Sequence, residues 1–102
     1  MEKESRKEII LTKRFRKHAD RVYDYLLTNF SSKTALEFLD KINERIELIS
    51  KHPTIGKTSG DHRNVRSIII NPYNLLFYRY QNDKIKILCL FDMRRNPERK
   101  PY

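Results

Sequence analysis

The spacing of hydrophobic positions changes along the chain. Three apolar runs follow one another at residues 65–70, 75–80 and 85–91. Strand formers dominate each run. The two breaks, Asn71-Pro72-Tyr73-Asn74 and Gln81-Asn82-Asp83, carry turn residues. This pattern predicts a three-stranded antiparallel meander. Upstream the period lengthens. Phe15, Ala19, Val22, Tyr23, Leu26, Leu27 and Phe30 recur at three- and four-residue steps, which predicts a helix over 13–30 with Thr12 as its N-cap. Ala35, Phe38, Leu39, Ile42, Ile46 and Ile49 repeat that spacing, which predicts a second helix from about 33 to 51. Ser31 or Ser32 caps it, and Pro53 ends it by pushing the preceding residue out of the helical region. The short run 8–12 reads as a strand able to join the sheet, or as the opening of the first helix.

Only a few residues separate the two helices, so they pack as an antiparallel hairpin. Each amphipathic helix, like the sheet, needs cover for one apolar face. The economical solution is an α+β two-layer domain. An N-terminal strand and the two-helix hairpin come first, and the hairpin packs on the C-terminal three-stranded antiparallel meander. A chain of 102 residues suits one domain with one modest core, with residues 1–6 and 98–102 expected to be flexible. The segment 52–63 holds both glycines, Gly56 and Gly60, and is long for a mere connection.

Composition narrows the function. The chain is 38% hydrophobic and 34% charged, with 22 basic against 13 acidic side chains and a formal net charge of +9. Such an excess favours a polyanionic partner, either nucleic acid or an acidic protein. Solubility alone is the plain alternative. The single cysteine, Cys89, falls inside a predicted strand and reads as a small core residue. A chain without a disulfide pair fits a reducing cytoplasm. No apolar run approaches the roughly 18 residues that span a bilayer, and the N-terminus lacks a signal-peptide core, so a cytoplasmic protein is expected. His18, His52 and His62 lack metal-site spacing, and there is no glycine-rich phosphate loop, so neither a metal nor another cofactor is expected.

Alternation along each strand sorts the candidate chemistry. Arg66 shares a face with Ile68 and Ile70, and Arg79 with Leu75 and Phe77. Lys86, Leu88, Leu90 and Asp92 face away from Ile85, Ile87, Cys89 and Phe91. Arg66 and Arg79 each read either as a phosphate grip or as a partner of a helix carboxylate. The tail concentrates Arg94, Arg95, Arg99 and Lys100, and ends in Tyr102. The loop before the sheet adds Lys57, His62 and Arg63. Together these would build one basic cleft at one end of the sheet, with guanidinium forks for phosphate oxygens and a ring for an unpaired base. A solvated charge run is the alternative. Tyr73, Tyr78 and Tyr80 read as packing residues, with Tyr73, at a turn, the natural exception.

In the order of its elements and in several motifs the chain resembles the RelE/ParE superfamily of bacterial toxins from type II toxin–antitoxin systems. The resemblance runs from about residue 8 to 97. It is carried by Phe15-Arg16-Lys17-His18-Ala19, by Ala35-Leu36-Glu37-Phe38-Leu39 with Ile42, and by His52-Pro53-Thr54-Ile55-Gly56-Lys57. Asn64-Val65-Arg66-Ser67 and Pro72-Tyr73-Asn74-Leu75-Leu76-Phe77-Tyr78-Arg79 follow, and Phe91-Asp92-Met93-Arg94-Arg95-Asn96-Pro97 closes it.

The resemblance implies a small basic toxin, linked to plasmid stabilisation and silenced by a cognate antitoxin protein. It leaves two mechanisms. RelE-like members enter the ribosome and cut mRNA as metal-independent endoribonucleases, blocking translation. ParE-like members inhibit DNA gyrase without hydrolysis. The first is the leading expectation, with His62, Arg66, Arg94 and Arg95 as its catalytic set. Lys57, Arg63, Arg79, Arg99, Lys100 and Tyr102 would bind nucleic acid. Cleavage of that kind needs a deprotonated 2′-hydroxyl, a stabilised transition-state charge and a protonated leaving oxygen. His62 would move the protons, and the arginines would supply charge. Asn74 stands where many RelE-type members carry an arginine, and it has no charge to offer.

Overall fold

The computed structural model describes residues 6–94 and 97–102. In chain order come β1 (Glu8–Leu11), α1 (Lys13–Asn29), α2 (Ser32–Lys51), β2 (Lys57–Thr58), β3 (Val65–Asn71), β4 (Asn74–Gln81), β5 (Lys84–Asp92) and a 3-10 turn (Pro97–Arg99). The strands form one sheet in the order β1-β5-β4-β3-β2. β3, β4 and β5 make the expected antiparallel meander. β1 joins its β5 edge in parallel, with Ile9 opposite Ile85. β2 is an addition: a polar two-residue strand carries no alternation that could announce it. No helix among the described residues is long and apolar enough to cross a membrane.

Local chemistry sets the ends of these elements. Thr12 Oγ1 accepts from the Phe15 N–H at 3.1 Å and caps α1, and Ser31 Oγ accepts from the Thr34 N–H at 3.1 Å and caps α2. Asn82 and Asp83 both take positive φ, 54° and 62°, the conformation that two-residue hairpins require. At the other hairpin Asn71 Oδ1 accepts from the backbone N–H groups of Tyr73 and Asn74, an Asx turn.

Two apolar clusters lie on opposite faces of the sheet. The larger one packs Phe15, Phe38, Ile42 and Ile49 of the helices against Ile70, Leu76, Tyr78, Ile85, Ile87 and Leu90. The second, on the face away from the helices, gathers Val65, Leu75, Phe77, Leu88 and Cys89, with Phe91, Met93 and Tyr102 over it. Cys89 is buried, which raises its thiol pKa above the usual range.

Two expectations about packing are corrected. Leu88 and Leu90 do not share a face. β5 breaks step against β4: Phe77 pairs with Cys89 and Tyr78 with Ile87, which leaves Leu88 without an opposite number. The bulge turns both Leu88 and Cys89 away from the helices and returns Leu90 to them. The α1 stripe is also narrower than the period suggests. Phe15 is buried, and Ala19, Val22 and Leu26 pack on the core, whereas Leu27 and Phe30 are 43% and 64% exposed. Leu27 follows Leu26 around the helix and leaves the stripe, and Phe30 lies beyond the last helical residue.

Candidate functional site

Arg66 opens β3 on the helix-facing side, opposite Tyr78 on β4. Both side chains reach the segment that follows α2. The Tyr78 hydroxyl donates to the Pro53 carbonyl at 2.7 Å and accepts from the Gly56 N–H at 2.9 Å. Arg66 Nη1 donates to the carbonyls of Thr54 and Gly56, at 3.0 and 2.9 Å. Burial raises the Tyr78 pKa, so the phenol stays neutral and keeps its proton for Pro53. The guanidinium is thereby committed to holding a loop.

His62 and Tyr102 meet on the opposite face. Their rings pack edge to face, 5.2 Å between centroids, and Tyr102 also lies 5.4 Å from Phe77. The Ser59 hydroxyl donates to the Tyr102 carbonyl at 2.8 Å. Arg14, at the start of α1, places its Nη1 3.3 Å from the Tyr102 hydroxyl and its guanidinium 5.8 Å from the ring centroid. Beside this group lies an open concavity of about 450 Å³, whose lining includes Ser59, Asp61, His62, Arg63, Arg66 and Tyr80. Arg63 and His62 both line it.

Arg94 lies at the other end of the meander. It forks onto Asp92, Nε to Oδ1 at 3.1 Å and Nη2 to Oδ2 at 3.0 Å, and stacks over the exposed Tyr73 ring at 4.4 Å. The β4 residue opposite Val65 is Arg79, and the one opposite Asp92 is Asn74. The five residue steps from Asn74 to Arg79 span roughly 17 Å. His62 and Arg94 therefore do not share a cleft. Arg95 lies outside the described residues. Lys57 is exposed on β2, Arg79 is half-buried on the face away from the helices, and Arg99 and Lys100 are exposed in the tail. Asn74 is 7% exposed, and its side chain offers no charge.

The residues that composition and spacing pass over are Arg14 and Ser59. Arg14 sits on the polar side of its helix pattern, and only the tertiary fold brings it to Tyr102. The His62 corner brings together one imidazole, one phenol and the Arg14 guanidinium, with Arg63 and Arg66 in the lining of the concavity beside it.

The family model for the ParE toxin of type II toxin–antitoxin systems, parDE, matches residues 9–97. No curated protein sequence matches the chain. Among solved structures, the chromosomal ParDE toxin–antitoxin system of P. aeruginosa superposes with a TM-score of 0.71 at 17% identity, over 84% of this chain and 95% of that one. The YoeB dimer of Staphylococcus aureus gives 0.58 at 23% identity, over 83% and 94%. The E. coli DinJ–YafQ toxin–antitoxin complex gives 0.62 at 9% identity, over 87% and 94%. At these identities the superpositions establish the RelE/ParE-like fold. The family match spans most of the chain, which therefore belongs to the ParE toxin family of type II toxin–antitoxin systems.

Proposed function

We propose that this toxin disables its target by binding it, that the target is DNA gyrase, and that a cognate antitoxin protein silences it. The dispersal of the cationic groups carries the choice of binding over cutting. Phosphodiester cleavage concentrates charge at one phosphate and needs donors about 3 Å from it. Here Arg66 is tied to the carbonyls of Thr54 and Gly56, and Arg94 is tied to Asp92 at the far end of the sheet. Asn74 is neutral and buried. The ParE family match points the same way, and the DinJ–YafQ structure, a toxin–antitoxin complex, supports the partner.

Ribosome-dependent mRNA cleavage is the second reading, favoured by the contact of His62 with Tyr102 and by Arg14 at the phenol oxygen. The test runs antitoxin-free protein in a gyrase supercoiling assay and in a reconstituted translation reaction with primer extension. Blocked supercoiling with intact message is expected. Cuts in the message that vanish in His62→Ala, with supercoiling intact, would replace the first reading by the second.

A further inference from the structure

On the face away from the helices, the end of the sheet nearest the β4–β5 turn carries an unusual charge arrangement. Arg79 and Lys86 are direct cross-strand partners, so two cations face each other on adjacent strands. Lys84 stands two residues along β5, on the same face. Among the described residues, no carboxylate reaches any of the three within ion-pair distance. The nearby Asp83 is taken by Lys7 at 2.8 Å. Glu8 stands opposite Lys84 in register, without an ion pair. The three cations, Ile10, Gln81 and Asn82 line a concavity of about 230 Å³. Like charges set opposite each other cost stability, and a sheet retains them at no gain unless an anion completes them.

We propose that this strip is a docking site for an extended acidic peptide segment, supplied by the antitoxin. The inference rests on the antitoxin partnership proposed above. Alternate residues of an extended chain repeat at about 6.7 Å, the same spacing as Lys84 and Lys86 along β5. Two carboxylates on one side of such a segment therefore meet both lysines, and the Arg79 fork takes a carboxylate across the strand. Gln81 and Asn82 offer amide groups for backbone hydrogen bonds, and Ile10 supplies an apolar wall. No aromatic ring lines the concavity, so it lacks the stacking platform on which single-stranded nucleic acid depends.

The experiment measures fluorescence anisotropy of labelled hexaglutamate and, separately, of labelled hexathymidylate against the purified toxin at low salt. The expected result is that Lys84→Gln/Lys86→Gln weakens hexaglutamate binding about tenfold, whereas Lys33→Gln/Lys41→Gln, an equal loss of charge on α2, changes it less than about twofold. Equal losses in both double variants would overturn the site, because net charge alone would then account for binding. Hexathymidylate bound at the same lysines as tightly as hexaglutamate would overturn the peptide as occupant. Lys86→Glu should raise the melting temperature by giving Arg79 an opposite charge; a drop would show that the two do not face each other as described. Gyrase inhibition by the double variants is scored separately, so a wrong target and a wrong docking site give different results.

Discussion

The Tyr78 hydroxyl sits 2.9 Å from the Gly56 nitrogen and accepts its proton, with no space for a side chain between them. A Cβ on Gly56 would lie 2.6 Å from that oxygen and 2.9 Å from the Ser67 carbonyl. Gly56→Ala should therefore destabilise the fold by about 1–3 kcal/mol, because the buried ring and the backbone cannot both retreat. Tyr78→Phe should cost about 1–3 kcal/mol by leaving the Pro53 carbonyl and the Gly56 N–H unpaired. Urea denaturation of both variants checks this. A wild-type midpoint for Gly56→Ala would mean that the approach is looser than described.

Thr12 ties three elements together. It caps α1, and its hydroxyl donates toward the Ile87 and Leu88 carbonyls at 2.7 and 3.0 Å, where β5 bulges. Thr12→Val keeps the shape and loses the hydroxyl. It should cost about 2 kcal/mol, above a typical cap alone. Thr12→Ser should recover most of that. Equal losses in Val and Ser would mean that the methyl group contributes as much as the hydroxyl.

His18 accepts a hydrogen bond from the Leu90 N–H at 3.3 Å. Burial, and then Arg14 and Arg21, lower its pKa below the ordinary value. The folded state thus favours the neutral ring, and the unfolded chain takes up a proton first as pH falls. Its contribution is complete above the unfolded value, about 6.5. It is lost as pH drops below that toward the lowered folded value. Urea midpoints should fall on acidification through that window, and His18→Gln should flatten the dependence. An unchanged slope in the variant would assign it to the carboxylates.

Arg66→Ala should lower stability by about 1–3 kcal/mol, since two carbonyls lose a charged donor. Target inhibition should survive wherever the variant remains folded. A variant with a wild-type melting temperature and no inhibition would move this guanidinium from the loop to the target.

The architecture was legible because its elements are long and strongly patterned. The 3.6-residue stripe of α2 points to one partner face, and the run of apolar residues in β4 fits a strand covered on both faces. Where reading by period stopped working, a tertiary event had intervened. The Leu88 bulge shifts every later β5 residue by one face, and no residue type there signals it. Arg66 and Arg94 show the same limit for the site. Arg66 reads from sequence as a phosphate grip or a partner of a helix carboxylate and Arg94 as part of a basic tail, yet one is consumed by backbone carbonyls and the other by Asp92. Charge is visible in composition, whereas the partner that neutralises it is set by a register that composition does not contain. Arg63 beside His62 could be read early because the two are neighbours in the chain.

β1 is hydrogen-bonded to β5, the last strand of the sheet, and Thr12 reaches Leu88 across 76 positions. Closing so long a loop is entropically expensive and comes late in folding. During synthesis the first strand has no place to go until β5 has been made. The helical hairpin can form early, but the nascent chain cannot display the complete sheet, or any surface built on it, until β5 has emerged. An antitoxin already present in the cell thus gains a delay in which to meet its partner.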